Sequence, residues 1–215
     1  VARAVGPAVP RRAGGVRDYL VSRGVAGSRL RTVSYGEERP KFYYEREETL
    51  EAITPDLSVL DAFAPTEQSL LEALRAGVTT VQIVPGEHNA VGGLTAVVKL
   101  GRTGGACRAL EPRAGLGVSL SDAALLPLRE PTTRPDLEEM LGRAFSTAGA
   151  GGPLAEAREG RLPVWIQCDE LDQLQTALRL AQELRLQVRL LGPVEAHLIA
   201  ARLREEQVQV LHAVA

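Results

Sequence analysis

The chemistry that this chain could perform depends first on its histidines and carboxylates. Three of its 215 residues are histidines, at positions 88, 197 and 212. Neutral imidazoles and carboxylates that converge on one ion, with a position left open for water, form the site of a metal-dependent hydrolase. No two of these histidines stand at a ligand spacing, so the spacing predicts no metal site. The remaining candidates for a metal or for acid–base catalysis are His88, Asp169 and His212, because each follows a predicted strand.

Nucleophilic catalysis has less support in the sequence. Ser119 and Ser121 lie outside any G-x-S-x-G motif, which argues against the serine of a strand–turn–helix elbow. Cys168 has no histidine near it in sequence. Simpler roles exist for the residues around it, because Asp169 can cap the helix that follows and Cys168 can fill a small buried space.

Residues 70–93 contain His88 and the elements that would position it. Leucines at helical spacing lead to Gly77, which suits a helix C-terminus. Residues 78–84 are rich in β-branched side chains and predict a strand. The loop that follows, residues 85–93, is the default place for a site because functional groups collect at strand ends in α/β proteins. Its candidate binding residues are Asn89, Gly92 and Gly93.

The rest of the chain alternates predicted strands and helices. The sequence predicts strands at residues 95–99, 162–166, 187–191 and 208–211. It predicts helices at residues 136–145, 171–184 and 194–205, and a loop over residues 101–117. Such a β-α-β-α-β series favours parallel strands with right-handed crossovers. We therefore expect an α/β fold, a partial (β/α) barrel of parallel strands that is incomplete because a full barrel needs about 250 residues.

Composition excludes several classes of function. Lys and Arg total 25 against 27 for Asp and Glu, and the net charge of −2 gives no basis for nucleic-acid binding. No run approaches the ~20 apolar residues of a transmembrane helix. Cys107 and Cys168 match no zinc or redox spacing. A cytoplasmic location is the default expectation, with the periplasm or cell envelope as the alternative.

The central stretch resembles a known family. The segments RAGVTTV, PG, N-x-x-GG and V-V-K follow one another between Arg75 and Lys99. Together they resemble the imidazolonepropionase-like branch of the metal-dependent amidohydrolases, and the resemblance covers residues 45–200. It implies a barrel whose strand ends carry the metal ligands: an H-x-H pair, an H-A-H pair, a further histidine and a late aspartate.

Other residues occupy several of those ligand positions here. By the resemblance, Gln167 and Asp169 stand where the H-A-H pair would be, and Gly192 stands in place of the next histidine. The chain contains no H-x-H pair at all. The resemblance therefore implies that most of the metal site is lost, so we expect no cofactor, or zinc where a site survives.

A second resemblance lies upstream. Residues 11–40 carry the pattern RA…V…YL…GV…RL…YGE..P, which resembles the last part of the outer-membrane-protein-A-like peptidoglycan-binding domain. In that family an arginine that matches Arg12 holds the diaminopimelate carboxylate, a contact that suits the forked guanidinium group. We therefore expect a tail plus a peptidoglycan-binding-like fragment at residues 1–44, followed by an amidohydrolase-like α/β domain at residues 45–215.

These observations lead to three hypotheses of function. The first is an amidohydrolase-related protein without catalytic activity that acts by binding or assembly. The second is a metal-dependent hydrolase of C–N bonds in amides or cyclic amides, with a site rebuilt from His88, Asp169 and His212. The third is a peptidoglycan-associated envelope protein. Missing barrel strands would leave exposed edges, so we also expect self-association through those edges.

Overall fold

The computed structural model describes residues 51–64, 68–101 and 107–211. The strands are β1 (Thr80–Ile83), β2 (Val91–Lys99), β3 (Arg108–Ser119), β4 (Val164–Gln167), β5 (Val188–Leu191) and β6 (Gln209–Leu211). The helices are α1 (Gln68–Arg75), α2 (Arg134–Thr147), α3 (Pro153–Arg158), α4 (Leu171–Leu184) and α5 (Ala200–Glu205). Short 3₁₀ turns occupy Asp122–Ala124 and Ala196–Ile199. The predictions for residues 1–44, including that for Arg12, lie outside the described residues. The prediction for His212 lies outside them as well.

The six strands form one sheet in the order β1-β2-β3-β4-β5-β6. Strands β3, β4, β5 and β6 pair in parallel. Strands β1 and β3 both pair antiparallel to β2, which places Lys99 between Thr80 and Arg108. The sheet curls into a half barrel. The predicted α/β class is therefore confirmed and the curled sheet agrees with a partial barrel, while the prediction of parallel strands is wrong for the two pairs around β2.

The length of each connection explains these strand directions. A parallel pair needs a crossover of about a dozen residues or more, whereas a short turn suffices for an antiparallel pair. Helices α2 and α3 connect β3 to β4, α4 connects β4 to β5, and α5 connects β5 to β6. The connections at residues 84–90 and 100–107 are too short for a helical crossover. The strands that they connect therefore pair antiparallel.

Helix α4 shows how the parallel strands are covered. Its buried residues include Leu174, Ala177 and Leu178, which share one helix face at i, i+3 and i+4. They join Val164 and Ile166 of β4 in the large apolar core. Burial of this face fixes the helix against the sheet, and the helix predicted at residues 171–184 is confirmed with the same ends.

Strand β3 contradicts the loop that the sequence predicts over residues 101–117. It contains 12 residues, although glycines interrupt its pattern. A Cβ on Gly115 would lie 2.5 Å from Nε1 of Trp165, and a Cβ on Gly117 would lie 2.7 Å from Cδ of Pro85. These glycines therefore belong to a strand on whose backbone two rings pack. Glycine is common both in loops and at such close contacts, so composition does not distinguish the two.

Strand β6 lies at one edge of the sheet, and all three of its residues are exposed. Val210 and Leu211 are 40% and 53% exposed. Self-association through this edge stays a prediction.

Across the described ranges, no helix combines the length and the apolar character that a membrane span requires.

Candidate functional site

The carboxyl ends of β3, β4 and β5 lie side by side at one rim of the sheet. Leu120 N donates a hydrogen bond to Gln167 O at 2.9 Å across the ends of β3 and β4. Because β2 is antiparallel to β3, its first residues reach the same rim, where Ser119 N donates to Ala90 O at 3.1 Å. Functional groups of α/β proteins lie at such a rim. The predicted site residues on or next to it are His88, Asn89 and Asp169.

Three positions of the rim converge on one small space. Gly192 follows β5, and its φ of +70° lies in the left-handed region that suits glycine. A Cβ placed on Gly192 would lie 2.9 Å from Nε2 of Gln167 and 3.5 Å from Oδ1 of Asp169. The three positions that the amidohydrolase resemblance gives to histidines therefore meet in space.

The residues at this point do not fit a zinc ion. Catalytic zinc is held by about three imidazole, thiolate or carboxylate donors. Asp169 supplies one anionic donor, Gln167 supplies a neutral amide, and Gly192 has no side chain. Over residues 51–64, 68–101 and 107–211, no group of three or more His, Cys, Asp and Glu side chains is placed to hold a metal ion. The donor set therefore disagrees with the metal site that the resemblance implies.

The backbone beside Asp169 is held by two side chains. Oε1 of the buried Gln173 accepts hydrogen bonds from Asp169 N at 2.8 Å and Glu170 N at 3.4 Å. Oε2 of Glu195 accepts from Leu171 N at 2.8 Å. The residue that caps α4 is Glu170, so the capping role predicted for Asp169 is wrong. Gln173 reaches back to the N–H of Glu170 and so completes the capping box at the start of α4.

Cys168 lies next to Asp169 but is not activated as a nucleophile. Its side chain is fully buried. Burial, together with the negative charge of Asp169, raises the pKa of the Cys168 thiol to about 12. A thiol with this pKa stays protonated at neutral pH, and the thiolate is the form that attacks carbonyls or binds metals. Cys168 therefore fills space in the core, as the simpler alternative predicts.

Asn89 is held in place by Arg129, a residue that sequence analysis does not select. Asn89 is 3% exposed, and its Oδ1 accepts a hydrogen bond from Nη1 of Arg129 at 2.7 Å. The same guanidinium group donates to the carbonyl oxygens of Glu51, at 3.0 Å, and of His88. Nδ2 of Asn89 donates to Oγ1 of Thr54 at 3.5 Å. These contacts join three segments at the rim, and no sequence motif marks Arg129 as their centre. A role of Asn89 in ligand binding stays a prediction.

The two glycines predicted to bind a ligand lie in β2, because the strand begins at Val91 rather than after the predicted loop. A Cβ on Gly92 would lie 2.6 Å from Cβ of Pro85. A Cβ on Gly93 would collide with the carbonyl oxygen of Leu57. Both positions therefore need glycine for close packing, and their binding role stays a prediction.

The histidines occupy unlike environments. His88 is half-buried in the loop before β2. His197 is exposed on the 3₁₀ turn Ala196–Ile199, and its Nδ1 lies 3.3 Å from the carbonyl oxygen of Val194. His212 lies outside the described residues. An ion shared by His88, Asp169 and His212 stays a prediction.

Arg134 is a second rim residue that the sequence does not reveal. It begins α2 and pairs with Asp122 at 2.7 Å, with Glu170 at 2.8 Å and with Asp172. The hydrogen bond from Arg134 lowers the pKa of Asp122. The hydrogen bonds to Asp122 and Glu170 in turn raise the pKa of Arg134. This arginine ties the turn after β3 to the first residues of α4, so it positions the rim beside Asp169.

The fold is similar to that of a solved amidohydrolase. The crystal structure of an amidohydrolase from Thermotoga maritima MSB8 matches with a TM-score of 0.71 and 23% sequence identity. The match covers 82% of this chain and 53% of the Thermotoga chain, so this chain spans about half the length of that protein. No protein-family model matches the chain. At this identity the likeness shows the fold alone.

A stretch of 30 N-terminal residues matches peptidoglycan-associated lipoproteins. It is 70% identical to the lipoproteins of Rhizobium meliloti (strain 1021) and Mesorhizobium japonicum, and 63% identical to that of Brucella melitensis biotype 1. The stretch is 14% of this chain and 17% of the Rhizobium protein. The chain therefore matches one segment, less than a fifth, of these lipoproteins.

Proposed function

We propose that this chain is an amidohydrolase-related protein that has lost the metal site of that family and acts by binding or assembly. The observation that carries the proposal is the meeting of Gln167, Asp169 and Gly192 at one point of the rim. The likeness to the Thermotoga amidohydrolase supports the framework in which these positions meet. The exchange of histidines for an amide, a carboxylate and a glycine supports the loss of metal binding.

The chemistry of C–N hydrolysis explains why this exchange matters. A bound metal ion lowers the pKa of its water towards ~7 and so supplies hydroxide at neutral pH. Asp169 could act as a general base, but one carboxylate without a metal leaves the water and the amide carbonyl largely unactivated. The protonated Cys168 thiol offers no alternative nucleophile. The rim therefore suits binding better than hydrolysis.

The first test measures zinc and activity on the purified protein. We expect well under one equivalent of zinc per chain, a melting temperature that a chelator does not change, and no hydrolysis of cyclic amides, imidazolones or dipeptides. About one equivalent of zinc, a melting temperature lowered by chelator and measurable hydrolysis would overturn the proposal. That result would favour a rebuilt site, and replacement of His88, Asp169 and His212 in turn would identify its ligands.

A second test restores donors to the rim. We expect the double variant Gln167→His with Asp169→His to bind zinc at least ~100-fold more tightly than the parent, because two imidazoles then face one space. A control with the same number of new histidines, Asp136→His with Gln207→His, places them at the ends of different helices. Equal zinc affinity for the parent and both double variants would show that the rim does not have the geometry of a metal site.

The N-terminal match favours a second candidate function, association with peptidoglycan. It rests on the 70% identity to a peptidoglycan-associated lipoprotein over 30 residues. We expect the protein to sediment with purified sacculi, and Arg12→Ala to reduce its recovery at least fivefold. Arg11→Ala is the matched control because it removes a neighbouring arginine that the resemblance does not use. Equal recovery of the three proteins would remove this candidate.

A further inference from the structure

A cleft of about 610 Å³ lies where α2, α3 and α4 end. Its lining residues include Ser146 near the end of α2, Arg158 at the end of α3, and Leu184 and Arg185 at the end of α4. The rim lies at the opposite end of α4, which is 14 residues long. A helix of this length spans about 20 Å. The cleft is therefore a separate place from the point where Gln167, Asp169 and Gly192 meet.

The cleft presents charges of both signs. Glu159 and Glu183 line it, and the carboxylate of each is paired with an arginine. Arg158 and Arg185 also line it, and both residues are exposed. Within the described part of the chain, neither has a carboxylate partner. Arg158 donates a hydrogen bond of 3.4 Å to the carbonyl oxygen of Ser146. Two guanidinium groups are thus available to an anionic ligand group.

Arg185 has an unusual backbone conformation at this cleft. Its φ of 56° and ψ of 42° place it in the left-handed region, where helix ends usually carry glycine. The ends of α1 and α3 follow that rule with Gly77 and Gly160. Gln207, after α5, has a similar φ of 54° but does not line the cleft. Glycine would relieve the strain at position 185.

We propose that this cleft binds a small zwitterion, a free amino acid or a short peptide, with Arg158 and Arg185 holding its carboxylate. Forked guanidinium groups match the two oxygens of a carboxylate. The carboxyl ends of three helices carry partial negative charge, which suits the ammonium group of the same ligand. The volume of the cleft falls within the range of about 300–1,000 Å³ for small-molecule sites. This site is independent of the function proposed for the rim.

The ligand class can be tested with one dipeptide and its blocked forms. Titration calorimetry with alanyl-alanine is expected to detect binding, while the N-acetylated dipeptide and the dipeptide amide each bind at least tenfold more weakly. Loss of affinity in both blocked forms identifies a zwitterion site. No binding of alanyl-alanine at about 10 mM, a concentration at which even weak specific binding is detected, would overturn the proposal. Equal binding of the blocked forms would overturn it as well.

The carboxylate contact can be tested by replacing Arg185 or Arg158, without damage to the fold. Arg185→Gly is expected to raise the melting temperature by about 2 °C or more, because it removes left-handed strain, and to weaken dipeptide binding at least tenfold. Gln207→Gly is the matched control, which raises the melting temperature without changing binding. Arg158→Gln is expected to weaken binding at least tenfold. Unchanged affinity in Arg185→Gly and Arg158→Gln would overturn the assignment of the carboxylate contact.

Discussion

The parallel half of the sheet, β3 to β6, and the antiparallel half around β2 are stabilised in different ways. Helices cover the parallel half, and their apolar faces belong to the large core. In the antiparallel half, β2 contributes Val91 and Leu94 to that core and also packs in a smaller apolar cluster that includes Val98. The glycines of β2 lie where another part of the chain comes close. Stability of the parallel half therefore depends on apolar area spread over many residues. Stability of β2 depends in addition on steric fit at its two glycines, where a Cβ would collide with its neighbours.

The largest expected effect is that of Gly93→Ala in the antiparallel half. The new Cβ would collide with the carbonyl oxygen of Leu57 and lie 3.0 Å from its carbonyl carbon, and the φ of +115° is itself unfavourable for alanine. A backbone neighbour cannot rotate away as a side chain can. We expect a loss of about 3 kcal/mol or more in the free energy of unfolding, measured by urea denaturation.

Gly142→Ala is the matched substitution in the parallel half. Gly142 lies within α2, and a Cβ there would have no atom within 4 Å. We expect a gain of about 0.5–1 kcal/mol because alanine favours the helix. Losses of similar size at both positions would contradict the distinction between the two halves.

The next largest effect concerns the contact that fixes the loop before β2. Arg129→Ala removes the hydrogen bonds to Asn89, Glu51 and His88 and leaves the buried Oδ1 of Asn89 without its partner from Arg129. We expect a loss of about 2–3 kcal/mol in the free energy of unfolding. Arg143→Ala, which removes an exposed ion pair 3.8 Å long on α2, is expected to cost about 0.5 kcal/mol or less. Equal costs would mean that Arg129 does not hold the rim together.

The same contrast explains what the sequence could predict. Both ends of helix α4 are predictable because its apolar spacing is local, although its cap is Glu170 and not Asp169. Strand β3 is not predictable, because Gly115 and Gly117 read as loop residues until the rings packed on them are known. Arg129 and Asn89 are 40 residues apart and lack a motif. The resemblance pointed to Gln167, Asp169 and Gly192 one by one, but only the parallel strand ends bring them to one place.

The smallest expected effect is a pH dependence at the junction of the two halves, where Asp122 follows β3. The hydrogen bond from Arg134 lowers the pKa of Asp122 in the folded protein. As the pH falls, the Asp122 carboxylate therefore takes up a proton at a higher pH in the unfolded chain than in the folded chain. The stabilisation is complete above the usual aspartate pKa of 3.8 and is lost as pH falls through the lowered value. Because the Asp122 side chain is 60% exposed, we expect at most about 1 kcal/mol.

Urea unfolding from pH 7 down to pH 2.5 at low salt would measure this contribution of Asp122 to the free energy of unfolding, with Asp122→Asn as the comparison protein. The difference in unfolding free energy between the two proteins should be constant near neutral pH and shrink towards zero in acid. In an Arg134→Gln background the same difference should nearly disappear at every pH, because the partner that lowers the pKa is gone. A difference that grows as pH falls would mean that the ion pair does not stabilise the folded rim.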